Sequence, residues 1–400
     1  MFEPLSGMRV VDLSQVLAGP YATYQLALMG AEVIKIERPV RGDWTRNGGS
    51  VAALSDMQMG LPFLTQNANK KSLTIDLKSS AGLSVTKRLI QTADVFVENF
   101  SPGTAAGLGL GFEDVREINP RIVYCSISAY GQDGPMSHRP AYDHVVQGMC
   151  GIMEQTGAAG SGPTKVGAPY IDYATGLNAA FAIVSALHEV KRTETAVHVD
   201  VAMLDTSMML MASLMTNCLT AGWKPEQSGN EAWSQSPSSG AFDTADGVLM
   251  LAANTDPQFE RLCVAIDRAD ILDDPRWQSP EARKLHADAL RQEFSAVFST
   301  QSADFWEERL DQARVPAARV RSMDEVLAED QLKARGIMSA MTLPRYDKPV
   351  HVPTLGFKVN GEITAAQVPP PELNQDAQAL LCSIGLNDTE IAAIKKQGTL

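Results

Sequence analysis

The first 130 residues alternate short Val- and Ile-rich runs with helix-patterned segments, and that alternation limits the fold more than any other feature. Residues 8–13 and 32–36 are apolar runs of strand length. Between them, residues 21–29 carry apolar groups at helical spacing behind Gly19-Pro20. Proline suits the first turn of a helix, where its missing N–H leaves no bond unmade. A helix between two strands is the crossover that parallel pairing requires. Further strands are read at residues 95–98 and 122–126, preceded by helices at 81–92 and 112–118. The pattern predicts an α/β fold with a doubly wound, mostly parallel, Rossmann-like sheet. Ligands in such sheets bind beyond the carboxyl ends of the strands. Segments 13–18, 37–41, 99–103 and 129–134 follow candidate strands and should gather at one rim. No Gly-x-Gly-x-x-Gly follows the first strand, so a nicotinamide or flavin reading loses its main support.

The texture changes after residue 200. Residues 221–240 are rich in Ser, Gly, Gln and Pro and read as a linker or mobile loop. A strand at 247–253 and helices at 258–267, 280–297 and 302–312 suggest a smaller α/β domain. A return segment begins at 325–335, and two last helices are read at 376–384 and 388–396. The 400 residues are 44% hydrophobic, enough for a sizeable core. The net charge of −13 argues against nucleic acid or an anionic membrane as a partner. Five scattered cysteines without a CxxC fit a reducing compartment and no metal site. The start lacks the basic and apolar regions of a signal peptide, and no apolar run reaches 18 residues. A cytoplasmic protein is the expectation.

One carboxylate stands out. Gly167-Ala168-Pro169-Tyr170-Ile171-Asp172-Tyr173-Ala174-Thr175-Gly176 sets Asp172 on a Gly-bounded turn just before Leu177, Phe181, Val184 and Leu187 at helical spacing. Asp172 therefore reads as an N-cap or first-turn residue, a common structural use of Asp. The dipole of the helix is expected to keep it ionised at neutral pH. An exposed, oriented carboxylate can attack an activated acyl group.

Other segments give Asp172 its context: Pro4-Leu5-Ser6-Gly7-Met8-Arg9-Val10-Val11-Asp12-Leu13-Ser14, Leu17-Ala18-Gly19-Pro20, Gly30-Ala31-Glu32-Val33-Ile34-Lys35-Ile36-Glu37-Arg38-Pro39, Asn69-Lys70-Lys71-Ser72, Ala93-Asp94-Val95-Phe96-Val97-Glu98-Asn99-Phe100, Cys125-Ser126-Ile127-Ser128-Ala129-Tyr130-Gly131-Gln132 and Tyr142-Asp143. Taken in order, the sequence resembles the class III (family III) coenzyme A transferases, from about residue 4 to about 205 and more weakly beyond. The resemblance implies a CoA transferase that moves CoA from an acyl-CoA to a free carboxylic acid. Asp172 would be the catalytic residue, passing through an aspartyl anhydride and an aspartyl–CoA thioester. No metal and no permanently bound cofactor are implied, and CoA enters as substrate. The resemblance also implies an interlocked homodimer. Its domains would be a large CoA-binding domain over 1–205, a linker and small domain over 206–325, and a C-terminal return over 326–400.

The same resemblance assigns cofactor contacts to Ala18, Arg38, Ile75, Lys78, Asn99, Phe100 and Tyr142, each of which also has a plain structural reading. Arg38 suits a phosphate because its guanidinium is a planar bidentate donor. Lys70, Lys71 and Lys78 form a basic group that ordinarily lies in solvent. Lys165, seven residues before Asp172, would meet a distal carboxylate of the substrate or simply be a surface lysine. Tyr142 separates two branches. The related α-methylacyl-CoA racemases carry His before the matching Asp, and here His144 lies on the other side of Asp143. A racemase or acyl-CoA isomerase is thus the alternative within the fold, and a non-catalytic CoA-binding subunit the alternative outside it. Three departures from the family pattern occur. Leu373-Asn374-Gln375 replaces a Gly-His-Thr, Glu194 and Ala196 replace glycines after the long helix, and the segment at 236–240 is poor in glycine for a flap.

Overall fold

The computed structural model describes residues 2–232 and 234–399. Six strands build one sheet: β1 (Arg9–Asp12), β2 (Glu32–Glu37), β3 (Lys70–Thr74), β4 (Val95–Glu98), β5 (Val123–Ser128) and β6 (Val197–Ala202). They lie in the order β3-β2-β1-β4-β5-β6, every pair parallel. Successive strands are added outward in one direction from β1 (to β2 and β3) and in the other from β4 (to β5 and β6), so the order reverses between β1 and β4, and a crevice opens beyond their carboxyl ends. Three helices bear on that region: α1 (Ala18–Leu28), α2 (Asp143–Met149) and α3 (Tyr170–Thr193).

Alternate strand residues face opposite sides of the sheet. Val10, Val33, Val95 and Val123 meet Ala22 and Leu26 of α1 and Ala179 and Ile183 of α3. Val11, Ile34, Phe96 and Tyr124 meet Val85 and Leu89, with Leu380 and Leu381 from the end of the chain. Both faces are covered, as a parallel sheet requires. The buried face of α3 is rich in small residues (Thr175, Gly176, Ala179, Ala180, Ala186) beside Ile171, Ile183 and Val190, while Leu177, Phe181 and Val184 point outward, with Phe181 73% exposed.

Two strands, β3 and β6, were not expected. Both are sheet edges, and their polar residues (Lys70-Lys71; His198, Asp200) hide the strand pattern. Lys70 is also not in solvent. It is buried and 3.2 Å from Asp12, while Lys71 pairs with Glu32 on the outside. At the far end of α3, Glu194 takes the left-handed conformation (φ 55°) that a glycine usually fills.

The chain forms two compact units. One contains Met1–Gly151, Val166–Trp223 and Gln331–Leu400; the other contains Ile152–Lys165 and Lys224–Asp330. Residues 206–223 thus go with the larger unit, where the Met203–Leu210 helix packs on α3. The smaller unit has a three-stranded antiparallel sheet (Ser239–Asp243, Val248–Ala252, Ala317–Arg319) and a core of Phe242, Phe259, Phe294, Phe298 and Trp306. Residues 236–240 run into its first strand, and Ser238 and Ser239 bond to Ala253 and Asn254.

A buried ionic network ties β1, β2 and β3 to one another and to the turn that follows β2. Asp12 accepts from Ser14, Thr23 and Lys70. Lys35 donates to the Ser14 carbonyl at 2.8 Å and lies 3.1 Å from Asp43. Glu37 takes two bonds of 2.7 Å from Arg46 and a third from Ser72. Burial alone would raise the Asp12, Glu37 and Asp43 carboxyls, but the cations beside them outweigh it and hold all three below the usual range. Removing one member of a buried ion set strands its partners without charge compensation. Lys35→Met is therefore expected to cost about 3–5 kcal/mol, read as a lower urea midpoint for the larger unit. A midpoint equal to wild type would show that the network is not stabilising.

Candidate active site

A cleft of about 420 Å³ lies beyond the carboxyl ends of β1 to β4. Arg38, Ile75, Lys78 and Phe100 line it, together with Leu13, Gln15 and Glu37. Arg38 and Lys78 are exposed there, and neither has a carboxylate partner among the described residues. Asn99 spends its amide on the other wall, accepting from Gln15 N–H at 2.9 Å and donating to Gln15 carbonyl at 2.8 Å. Phe100 is fixed from below, its N–H bonded to buried Glu98 at 2.8 Å. Ala18 opens α1 and is buried.

Next to Gln15, Val16 has φ of 74°. A β-branched residue in that region is strained and persists only where its surroundings hold it. Three bonds do so: Val16 N–H to Asp43, Gln66 to the Val16 carbonyl, and the Asn99 clamp on its neighbour. Nothing in the sequence signals this, since Val argues against a left-handed turn.

Asp172 lies in the first turn of α3 and is half-buried. One turn on, Gly176 brings α3 against α1. A Cβ there would sit 2.8 Å from the Ala18 carbonyl oxygen and 3.0 Å from the Tyr21 ring. Tyr21 and Tyr173 meet edge to face at 4.8 Å. Asp172 is thereby placed one turn before the point where α3 meets the start of α1, and it is not among the residues that line the cleft.

The expectation that the helix keeps Asp172 ionised is corrected here. Asp143, buried at the start of α2, already occupies the helix end. Its Oδ2 accepts the N–H groups of Ile171 (2.8 Å) and Asp172 (3.1 Å), and its Oδ1 accepts from Gln147 at 2.6 Å. The Asp172 carboxylate has no hydrogen-bond donor among the described residues. Burial, and then the charge of Asp143, push its pKa up to about 7. Asp143 appeared in the sequence only as part of the Tyr142-Asp143 motif, and no spacing links it to a helix start 28 residues away.

Tyr142 caps α2, is 62% exposed, and lies parallel to His144 at 6.3 Å. Lys165 belongs to the smaller unit. Among the described residues no cluster of His, Cys, Asp or Glu could hold a metal, and no helix is long and apolar enough to cross a membrane.

Residues 5–377 match the profile of CoA-transferase family III. The chain belongs to that family. It is 34% identical to the succinyl-CoA:glutarate CoA-transferase of Mus musculus over 379 residues, covering 95% of this chain and 86% of that one. It is 38% identical to the succinate–glutarate CoA-transferase of Agrobacterium fabrum, covering 84% of each. A crystal structure of a CaiB/BaiF family protein from Brucella suis superposes with a TM-score of 0.84 at 31% identity, over 96% of this chain and all of that one. The chain is a CoA-transferase.

The raised pKa of Asp172 carries a stability consequence. The folded state holds the proton more tightly than the unfolded chain, so the benefit is full below pH 3.8 and lost as pH rises through about 7. Asp172→Asn should therefore stabilise the protein at pH 8, by at most about 4 kcal/mol, and not at all at pH 3.5. Thermal unfolding at both pH values checks this. Equal gains at both would mean that charge is not the cause.

Proposed function

We propose that this enzyme transfers CoA from succinyl-CoA or another short acyl-CoA to a free short-chain carboxylic acid, with Asp172 as the nucleophile. The observation that carries the reading is the half-buried Asp172 carboxylate, left without a donor in the first turn of α3. The relatives named for succinate and glutarate favour a dicarboxylic substrate.

In the cleft, Arg38 and Lys78 take the CoA phosphates, Ile75 and Phe100 its apolar parts, and Asn99 shapes the wall through Gln15. Ala18 leaves room for the thioester arm, and the exposed Tyr142 ring covers the thioester. Asp172 attacks the thioester carbonyl, forming a mixed anhydride and releasing CoA thiolate. The thiolate attacks the Asp172 carbonyl, giving enzyme-bound CoA thioester and the first carboxylate, which leaves with one Asp172 oxygen. The acceptor carboxylate then reverses the sequence and restores Asp172.

Borohydride or hydroxylamine added during turnover should modify Asp172 alone, and Asp172→Ala should abolish exchange. In D₂O the enzyme should exchange CoA between acids without placing deuterium at the α-position of a 2-methylacyl-CoA, because Tyr142 stands where a racemase needs a proton carrier titrating near neutrality. Rapid α-deuteration without CoA exchange would instead make Asp172 a base.

An interlocked homodimer forms part of the same proposal. The outward Leu177, Phe181 and Val184 stripe, with Met209, Leu210 and Leu219, leaves large apolar side chains exposed, the kind of surface that subunit interfaces cover. Sedimentation at nanomolar concentration should show dimers only, and a folded monomer would refute the assembly.

A further inference from the structure

We infer that Asp143 is a positioning residue that drives acyl transfer by occupying the start of α3 in place of Asp172. This rests on the reading of Asp172 as nucleophile. A carboxylate in the first turn of a helix ordinarily gains from the free N–H groups and the positive dipole end. Here that benefit goes to a neighbour. Asp143 is buried, and its two oxygens accept three hydrogen bonds and donate none, the pattern of an ionised carboxylate. Gln147 locks it in place: its amide N–H₂ donates to Asp143, and its amide oxygen accepts from Val166 N–H at 2.9 Å, on the segment leading into α3. The two carboxylates are thus held together by α2, α3 and the segment 166–169 that leads into α3, and only Asp143 is compensated.

The consequence concerns the covalent state. Ionised Asp172 is destabilised by its neighbour. Protonated Asp172 is not, and neither is acylated Asp172, because both are neutral. In the half-reaction the carboxylate of Asp172 and an acyl-CoA become an enzyme–CoA thioester and a free carboxylate, so the negative charge leaves with the released acid. Repulsion by Asp143 is relieved in that step and restored when the next acid takes the CoA. The same repulsion therefore sets both the acid limb of activity and the yield of enzyme–CoA thioester. Among the described residues, the phenol of Tyr173 on α3 interacts with the charge of Asp172 and packs on Tyr21 of α1. Burial raises both phenols above their ordinary values, so they stay neutral across the working range.

Asp143→Asn keeps an acceptor for the α3 N–H groups and removes the charge. It should move the acid limb of kcat/KM toward lower pH by about one unit. It should also lower the equilibrium yield of borohydride-trapped enzyme–CoA adduct, measured without acceptor, by about tenfold, since one pKa unit corresponds to a factor of ten. Asp143→Ser, whose hydroxyl can accept one of the two N–H groups, repeats the test if the Asn variant does not fold. Activity lost with the acid limb unmoved would make Asp143 a structural cap only and overturn the inference. So would an unchanged limb and adduct yield in both variants. A wild-type enzyme that forms no adduct at all would overturn the assignment of Asp172 instead.

Discussion

The ion set of Asp12, Lys35, Lys70, Asp43, Glu37 and Arg46 is the constraint on which the larger unit turns. Three acids and three bases come from β1, β2, β3 and the turn after β2, with side chains at most 1% exposed. Desolvating so many charges is expensive, and apolar residues of equal volume would often be as stable. What the network contributes is position. Lys35 holds the Ser14 carbonyl, Asp43 holds Val16 N–H, and Arg46 reaches the Pro371 carbonyl across 325 residues of sequence. The loop that enters α1 is thereby kept in a conformation its own sequence disfavours.

That loop links two otherwise separate parts of the chemistry. The cleft beyond β1 to β4 offers cations and apolar walls, while Asp172 lies on a helix packed against the start of α1. On the proposed reading, binding at the nucleotide end is uniform and mainly sets affinity. Interactions at the reacting carbonyl must change between bound substrate and transition state if they are to raise the rate. A carboxylate denied its helix end is such an interaction, because its energy depends on whether it carries charge.

Much of the fold was legible because strand and helix periods survive wherever a strand is buried on both faces. The runs at 95–98 and 112–118 coincide with the elements observed there. Edge strands were not legible. Lys70-Lys71 looks like a surface pair until Asp12, 58 residues earlier, is seen beside it. At the site, Asp172 could be singled out by its small neighbours and its place before a helix. Its electrostatic state could not, because that state depends on Asp143 and on which of the two acids reaches the α3 N–H groups. Similarly, the stripe of Leu177, Phe181 and Val184 has the spacing of a core face, yet the core lies on the side of small residues, where α3 must approach α1 closely.

The outer edge of β3 is finished by the end of the chain. Ser72 N–H bonds to Asp376, Thr74 N–H to Asn374, and Asp76 N–H to the Thr399 carbonyl. Asn374 makes its contact from a left-handed turn at φ 62°. During synthesis the partners of Ser72 emerge 304 residues later, roughly 15–60 s at ribosomal speed. For that interval the nascent sheet has an open edge, the geometry that invites pairing with another chain. Vectorial folding of the larger unit therefore cannot be completed before residues 374–399 emerge, and the waiting edge is where a chaperone would have most to protect.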